Sequence, residues 1–271
     1  MRSIALYGKG GSGKSTICSN LSYQLARCGK KVLQIGCDPK GDSTLSIMGG
    51  RSIPSFVSLM KDRRPSAMSP SDFVFKGEAG VDCIEAGGPE PGQGCAGRGI
   101  VSLFQKARSD ELLAGYDVVL LDVLGDVVCG GFAAPLMHGV AGKVAIVVAD
   151  TAMSMFAANN IARAIVRFER NGARLAGLIA NDLRRPRGAE EMGAFAAELG
   201  TRLLCVIPRS EEISEADREC RVASERSGDG EAARRFSSLA TLLHDLDSDS
   251  CPTPKPMDNE SLAVFVRKLR G

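Results

Sequence analysis

SIALYGKGGSGKST, residues 3–16, is the stretch that decides how the rest of the chain is read. Its first half is a short apolar run suited to a strand. Its second half satisfies G-x-x-x-x-G-K-[ST] over 8–15 and opens onto 15–28, where apolar residues recur at helical spacing. Strand, glycine-rich turn and helix in that order make a phosphate loop. Gly8, Gly10, Gly11, Ser12 and Gly13 let backbone N–H groups converge on phosphate oxygens, and the helix adds its positive N-terminal end. Lys14 is expected to reach the β and γ phosphates and Ser15 to ligate Mg²⁺. A glycine-rich turn without a ligand is the alternative, and the strand and helix context weighs against it. Lys9 is a second lysine in the loop. Two ammonium groups fit poorly on one phosphate, so Lys9 is expected to point elsewhere, or to be simply exposed.

Beyond the loop, β-rich apolar runs alternate with helical patterns. KVLQIG, DCIEA, DVVLLD, KVAIVVA, LAGLIAN and RLLCVIP read as strands, with helices expected over 98–108, 132–141, 153–170, 188–199, 211–219 and 230–246. The strands are continuously apolar, the mark of a parallel sheet covered on both faces, so the fold class is α/β, doubly wound and mostly parallel. Ligands of such sheets bind beyond the carboxyl ends of the strands. The loops after Gly8, Gly36, Ala86, Asp122, Asn181 and Pro208 therefore hold the candidate site. DSDSCPTPKPM, 247–257, reads as an extended linker, dividing an ATPase unit, 1–247, from a C-terminal tail, 248–271.

Composition excludes several classes. In 271 residues no apolar run approaches the ~20 of a membrane span. No signal peptide is apparent, and a cytoplasmic protein is expected. A net charge of +2 does not favour nucleic acid, and the one basic cluster, RRPRG at 184–188, reads as a solvated loop. Nine cysteines without an export signal argue against a disulfide framework. Cys18, Cys28, Cys37, Cys83 and Cys205 lie in or beside apolar patterns and are expected to pack as small hydrophobes.

CDPKGDST, 37–44, and LLDVLGD, 120–126, each place aspartates where a buried strand ends. Asp38 or Asp126 is placed to orient an attacking water, and Asp42 and Asp122 to hold the water shell of the metal and sense the γ-phosphate. Helix caps and turn formers are the competing role for any one of them. Cys95, in GGPEPGQGCAGRG (87–99), and Cys129, in VCGGF (128–132), each sit among glycines just before a helical pattern. A thiolate there is stabilised by the helix dipole and by backbone N–H groups, which suits an iron–sulfur ligand. Two cysteines cannot complete a four-thiolate site, so a shared [4Fe–4S] cluster would need a symmetric copy of the chain. Zinc competes as the metal, although no C-x-x-C pair is present, and two unrelated loop cysteines remain the alternative.

GKGGSGKST, GCDPKGDST, GGPEPGQGCAGRG and DVLGDVVCGGF, in this order, resemble the iron protein of nitrogenase and its relatives, including the iron protein of dark-operative protochlorophyllide reductase. The resemblance runs from the first strand to about Pro208, more weakly beyond. It implies a P-loop ATPase of the deviant Walker A type, in which Lys9 reaches the nucleotide of the facing subunit. It further implies a homodimer sharing one [4Fe–4S] cluster through Cys95 and Cys129, MgATP on 8–15, and switches at 38–43 and 122–129. Asn181 and the backbone around Pro208 match the adenine-holding region. Arg98 matches an arginine that is ADP-ribosylated in some relatives. Ser12, Gly41 and Ser210 depart from the family's usual isoleucine, alanine and aspartate without removing a ligand. KVLQIGCDPK, DFVFKG and GGFAAPL resemble the protochlorophyllide branch, and PEPGQGCAGRG, AANNI and the tail after Pro254 the nitrogenase branch. The mixture points to a nitrogenase-like reductase such as methylthio-alkane reductase.

The function so implied is ATP-dependent delivery of low-potential electrons, drawn from a ferredoxin or flavodoxin, to a separate metallocluster protein. The iron protein of nitrogenase or of protochlorophyllide or chlorophyllide reductase is the near alternative. From another class come a positioning ATPase and a carrier of assembled clusters. The positioning reading draws on DNESLAVFVRKLRG, 258–271, where Leu262, Phe265, Val266 and Leu269 share a helical face beside three basic residues, as in a weak membrane-surface helix. Packing of that tail on the protein itself is its rival.

Overall fold

The structure, a computed structural model, describes residues 2–88, 97–125, 133–228 and 230–270. Eight strands make one sheet in the order β3-β4-β2-β5-β1-β6-β7-β8. They are β1 (Arg2–Tyr7), β2 (Val32–Gly36), β3 (Phe75–Lys76), β4 (Asp82–Glu85), β5 (Val118–Asp122), β6 (Lys143–Val148), β7 (Arg174–Asn181) and β8 (Leu203–Ile207). All pairs are parallel except β3 with β4. The seven parallel strands are the seven apolar runs of the sequence. Every residue of β2, β4, β5 and β6 is buried, because helices cover both faces of the sheet.

The helices are α1 (Lys14–Arg27), α2 (Phe56–Leu59), α3 (Pro70–Phe73), α4 (Gly97–Ser109), α5 (Ala134–Met137), α6 (Ala152–Arg167), α7 (Gly188–Glu198), α8 (Glu211–Arg218), α9 (Ala223–Arg226), α10 (Glu231–Asp245) and α11 (Asn259–Arg270). One apolar core, with Ile100, Ile161, Phe195 and Leu262, lies under α4, α6, α7 and α11. The other, with Ile17, Leu21, Ala223 and Phe236, lies under α1, α9 and α10. Two expectations need adjusting. The helix expected over 132–141 is a single turn, α5, with Pro135 in its first turn. Cys28 is exposed at the end of α1 rather than packed; Cys18, Cys37 and Cys83 are buried as expected.

Lys143 opens β6 and is buried, although it is charged. Its ammonium donates to the carbonyl oxygens of His244 at 3.2 Å and Leu246 at 3.0 Å, so it satisfies orphan acceptors at the C-terminus of α10. The tail after residue 247 is tied down in the same manner. Asn159 of α6 donates from Nδ2 to the Met257 carbonyl at 2.8 Å and accepts the Met257 N–H at 2.9 Å. Beyond it, α11 buries Leu262 and Val266, and Phe265 meets Phe195 of α7 at 6.2 Å between ring centres. The apolar face proposed for a membrane surface is thus turned onto the chain itself. No helix of the described residues is long and apolar enough to cross a membrane.

Leu262→Ala should lower the unfolding free energy by about 2–4 kcal/mol in urea titrations, whereas Val264→Ala, at a position 38% exposed, should change it by under about 0.5 kcal/mol. Equal effects would show that α11 does not pack as described.

Candidate functional site

The loop between β1 and α1 owes its shape to the sequence that builds it. Gly13, the N-cap of α1, has φ 88°, and a Cβ there would lie 2.3 Å from Asn181 Nδ2. A side chain is therefore excluded on both backbone and packing grounds. Asn181, the last residue of β7, donates from Nδ2 to the Ser12 carbonyl at 2.8 Å, fixing the loop from the side. Lys14 is buried, and its ammonium donates to the Lys9 carbonyl at 3.2 Å. Ser15 is exposed and Lys9 half-buried.

Beside Gly13 opens a groove with about 270 Å³ of water-accessible space, lined by Asn181, Asp182, Pro208, Arg209 and Phe236 among others. The structure thus brings Asn181 and Pro208 together next to the glycine-rich loop, and Ser210, at the N-cap of α8, lines the same groove. Asp182 adopts a left-handed backbone, φ 51°, and pairs with Arg209 at 3.0 Å and Arg184 at 3.1 Å. The other arginines of the basic cluster are also paired, Arg185 with Glu191 at 3.2 Å and Arg187 with Glu190 at 3.0 Å, so the cluster presents no concentrated positive field.

Asp122 ends β5 and is 3% exposed. Its carboxylate hydrogen-bonds Ser15 and Ser43, joining the glycine-rich loop to the segment after β2. Burial pushes its pKa up to about 6, against the pull of Ser15, Lys14 and Ser43. Asp38 is half-buried, and its Oδ1 accepts the Lys40 N–H at 2.9 Å, so part of its work is that of a turn former. Asp42 is exposed. Asp126, Cys95 and Cys129 lie outside the described residues; Arg98 is exposed in the first turn of α4.

Two further residues at this end of the sheet escape a reading of the sequence alone. Gln34, inside β2, donates to the Ser43 carbonyl at 3.2 Å. Glu85, the last residue of β4, is fully buried, and its Oε1 accepts both the Thr44 N–H at 2.6 Å and the Thr44 hydroxyl at 2.7 Å. The signal that could have revealed them is polarity inside apolar strands, Gln in VLQIG and Glu at the end of DCIE.

Whether this arrangement suits a magnesium nucleotide can be judged from its orphaned atoms. Asp122 Oδ2 and Ser12 Oγ are buried without hydrogen-bond partners, one beside the Ser15 hydroxyl and one inside the loop. Buried oxygens of this kind are rare unless a ligand or water completes them, and an acidic oxygen beside a loop of N–H donors fits a metal-bound phosphate. For a cluster, the donor chemistry is what can be judged. Burial raises the pKa of Cys18, Cys37, Cys83, Cys205 and Cys251, which keeps those thiols protonated and unsuited to ligation. Among the described residues no group of three or more His, Cys, Asp or Glu could hold a metal. In the chain, the candidate ligands Cys95 and Cys129 follow β4 and β5.

The sheet order and the glycine-rich loop define a doubly wound, mostly parallel α/β fold of the P-loop kind. Solved structures agree: the septum site-determining protein MinD of Pyrococcus horikoshii OT3, complexed with Mg-ADP, superposes with a TM-score of 0.71 at 20% identity, covering 90% of this chain and 96% of that one. The ParA family ATPase of Chlorobium tepidum TLS gives 0.68 at 17% identity, covering 89% and 97%. Residues 2–270 match the family of 4Fe-4S iron sulfur cluster binding proteins, NifH/frxC family, and the chain belongs to it. Among its relatives are the nitrogenase iron protein of Methanospirillum hungatei JF-1, 43% identical over 98% of this chain and 95% of that protein, and nitrogenase iron protein 2 of Methanothermobacter thermautotrophicus, 42% identical over 100% and 99%.

Glu85 gives a pH signature with a defined sign. Burial raises its pKa from 4.5 to about 7, so the folded chain holds a proton that the unfolded chain has released. Stability then falls as pH rises from about 4.5 to about 7, by roughly 3 kcal/mol from this group. Urea denaturation of the nucleotide-free protein at about pH 5 and about pH 8 should show a smaller fall in Glu85→Gln than in the unmodified chain. Equal falls would mean that Glu85 titrates normally.

Proposed function

We propose that this chain is the ATP-hydrolysing, electron-donating component of a nitrogenase-like reductase. What supports the reading above all is one juxtaposition. Membership of the iron-protein family across residues 2–270 coincides with a buried Asp122 that contacts the glycine-rich loop and heads the segment carrying Cys129.

In this reading Lys14 neutralises the β and γ phosphates, Ser15 ligates Mg²⁺, and Asp42 and Asp122 hold the water shell of the metal. Asp38 or Asp126 orients the water that attacks the γ-phosphorus; the bond to the β–γ bridging oxygen breaks, and ADP and phosphate leave. Asn181 and the Pro208 backbone hold adenine in the groove beside Gly13. Lys9 serves the nucleotide of the facing subunit. Cys95 and Cys129 from two copies of the chain supply four thiolates. A [4Fe–4S] cluster bound there supplies a one-electron carrier of low potential. Segments 38–43 and 122–129 rearrange with the nucleotide, and ATP must favour one dimer arrangement over the other for this to happen.

The finer assignments extend the same proposal. The recipient is a heteromeric metallocluster protein, and methylthio-alkane reductase is the specific candidate on the mixed branch motifs, ahead of nitrogenase and the protochlorophyllide enzyme. The electron source is a low-potential ferredoxin or flavodoxin, and the setting is the cytoplasm. Residues 1–247 form the ATPase unit, with 248–271 as its tail. Arg98, exposed in α4, is open to ADP-ribosylation.

Anaerobically purified protein should show iron-dependent visible absorbance and a reduced-cluster EPR signal, at one cluster per dimer. Cys129→Ser should abolish both while changing MgATP affinity by less than about threefold. Loss of nucleotide binding along with the cluster would make Cys129 a structural cysteine. Lys14→Ala should slow ATP hydrolysis by about a hundredfold or more with iron content unchanged. Reconstitution with each candidate catalytic component then identifies the recipient by which one turns over.

A further inference from the structure

We infer that Glu85 is a positioning residue that carries the state of the nucleotide loop to the chain leading to Cys95, by way of Thr44. The inference rests on the function proposed above, but concerns a connection that this function does not require. The link expected from sequence runs through Asp122 to Cys129; this one runs through the neighbouring strand.

The connection is built from three strand ends. β2 lies between β4 and β5, and the segment after it folds back across both neighbours. Ser43 is held by the Asp122 carboxylate on the β5 side, and Thr44 by Glu85 on the β4 side. Gly36 lies beneath the pair; a Cβ there would stand 2.2 Å from Glu85 Oε2 and 2.6 Å from Ser43 Cβ, so the side chains meet over it without slack. Glu85 Oε2 is buried and has no partner, and Oε1 takes both donors of Thr44. If the 38–43 segment shifts and draws the adjoining Thr44 with it, Glu85 must either move with Thr44 or be left with a buried carboxyl group lacking all its donors. The second outcome is strongly disfavoured, so Glu85 moves too.

Beyond Glu85 the backbone is equally tight. The Ala86 carbonyl accepts the Val57 N–H at 3.1 Å, and the Ala86 N–H donates to the Gly36 carbonyl at 2.8 Å. A Cβ on Gly87 would come within 2.4 Å of the Ser55 side chain. At the start of α4, a Cβ on Gly99 would be 2.2 Å from Val57 Cγ2 and 3.2 Å from the Gly87 carbonyl oxygen. Both flanks of segment 89–96 therefore rest on one bracket, Ser55 and Val57, which is itself fixed to the end of β4. Ser15, Asp122, Ser43, Thr44, Glu85 and the bracket form a contiguous packed path from the nucleotide loop to α4.

The test uses the full dimeric protein and hydrogen–deuterium exchange over residues 97–103, with and without MgADP or MgATP, alongside the dissociation constant for MgADP. Nucleotide should change exchange in the unmodified protein. In Thr44→Val and Glu85→Met that change should shrink by about fivefold or more, while MgADP affinity moves by less than about threefold. Glu85→Gln keeps the accepting oxygen and Thr44→Ser both donors, so each should respond like the unmodified protein. An undiminished nucleotide response in Thr44→Val or Glu85→Met overturns the inference. If Glu85→Met does not fold, Thr44→Val decides alone. Failure of the unmodified protein to bind nucleotide would instead count against the function proposed above.

Discussion

Asp122 is held between the Ser15 hydroxyl at the mouth of the glycine-rich loop and the Ser43 hydroxyl after β2, in a site 3% exposed. An acid so placed has its charged form destabilised by burial, and it keeps an oxygen with no donor. The surrounding geometry is shaped by that constraint. The carboxyl end of β5 must stay level with that of β1, and their register, Leu6 opposite Asp122, sets the aspartate beside the loop that leaves β1. The backbone of Cys37 in turn donates to the Asp122 carbonyl at 2.9 Å, aligning β2 with β5. Three loops are thereby gathered round one carboxylate.

Much of this was legible in the sequence, and what was not has a common cause. Continuously apolar runs gave all seven parallel strands, since a strand buried on both faces has no polar alternation to obscure it. The two-residue β3 left no such trace, because so short an edge strand owes its place to β4 rather than to its own pattern. The helix expected over 132–141 shrank to α5, since apolar content there reflects burial rather than helical period. That the glycine-rich loop, Asn181 and Pro208 would lie together could be read from the sequence because each has a local signature or a strand end to mark it. Gln34 and Glu85 could not be read so, because their importance lies in register: Gln34 stands opposite Cys83 and Leu120, and Gly36 opposite Glu85 and Asp122, a relation visible only once the strands are paired.

The likeness to MinD and ParA proteins, at 20% identity or below, belongs to the scaffold. The family match runs over residues 2–270, scaffold and loops together. A shared scaffold of this kind does not by itself fix what a chain does.

Helix α11 places Leu262 and Val266 into the apolar core beneath α6 and α7, yet it is made after all eight strands. During synthesis the sheet can pair and the glycine-rich loop can form while that face still lacks its cover. The nascent chain therefore passes through a stage that presents a sticky apolar surface, a stage at which a chaperone would bind it and at which two unfinished chains could join wrongly. Timing of translation, as well as final packing, thus bears on how much usable protein a cell obtains.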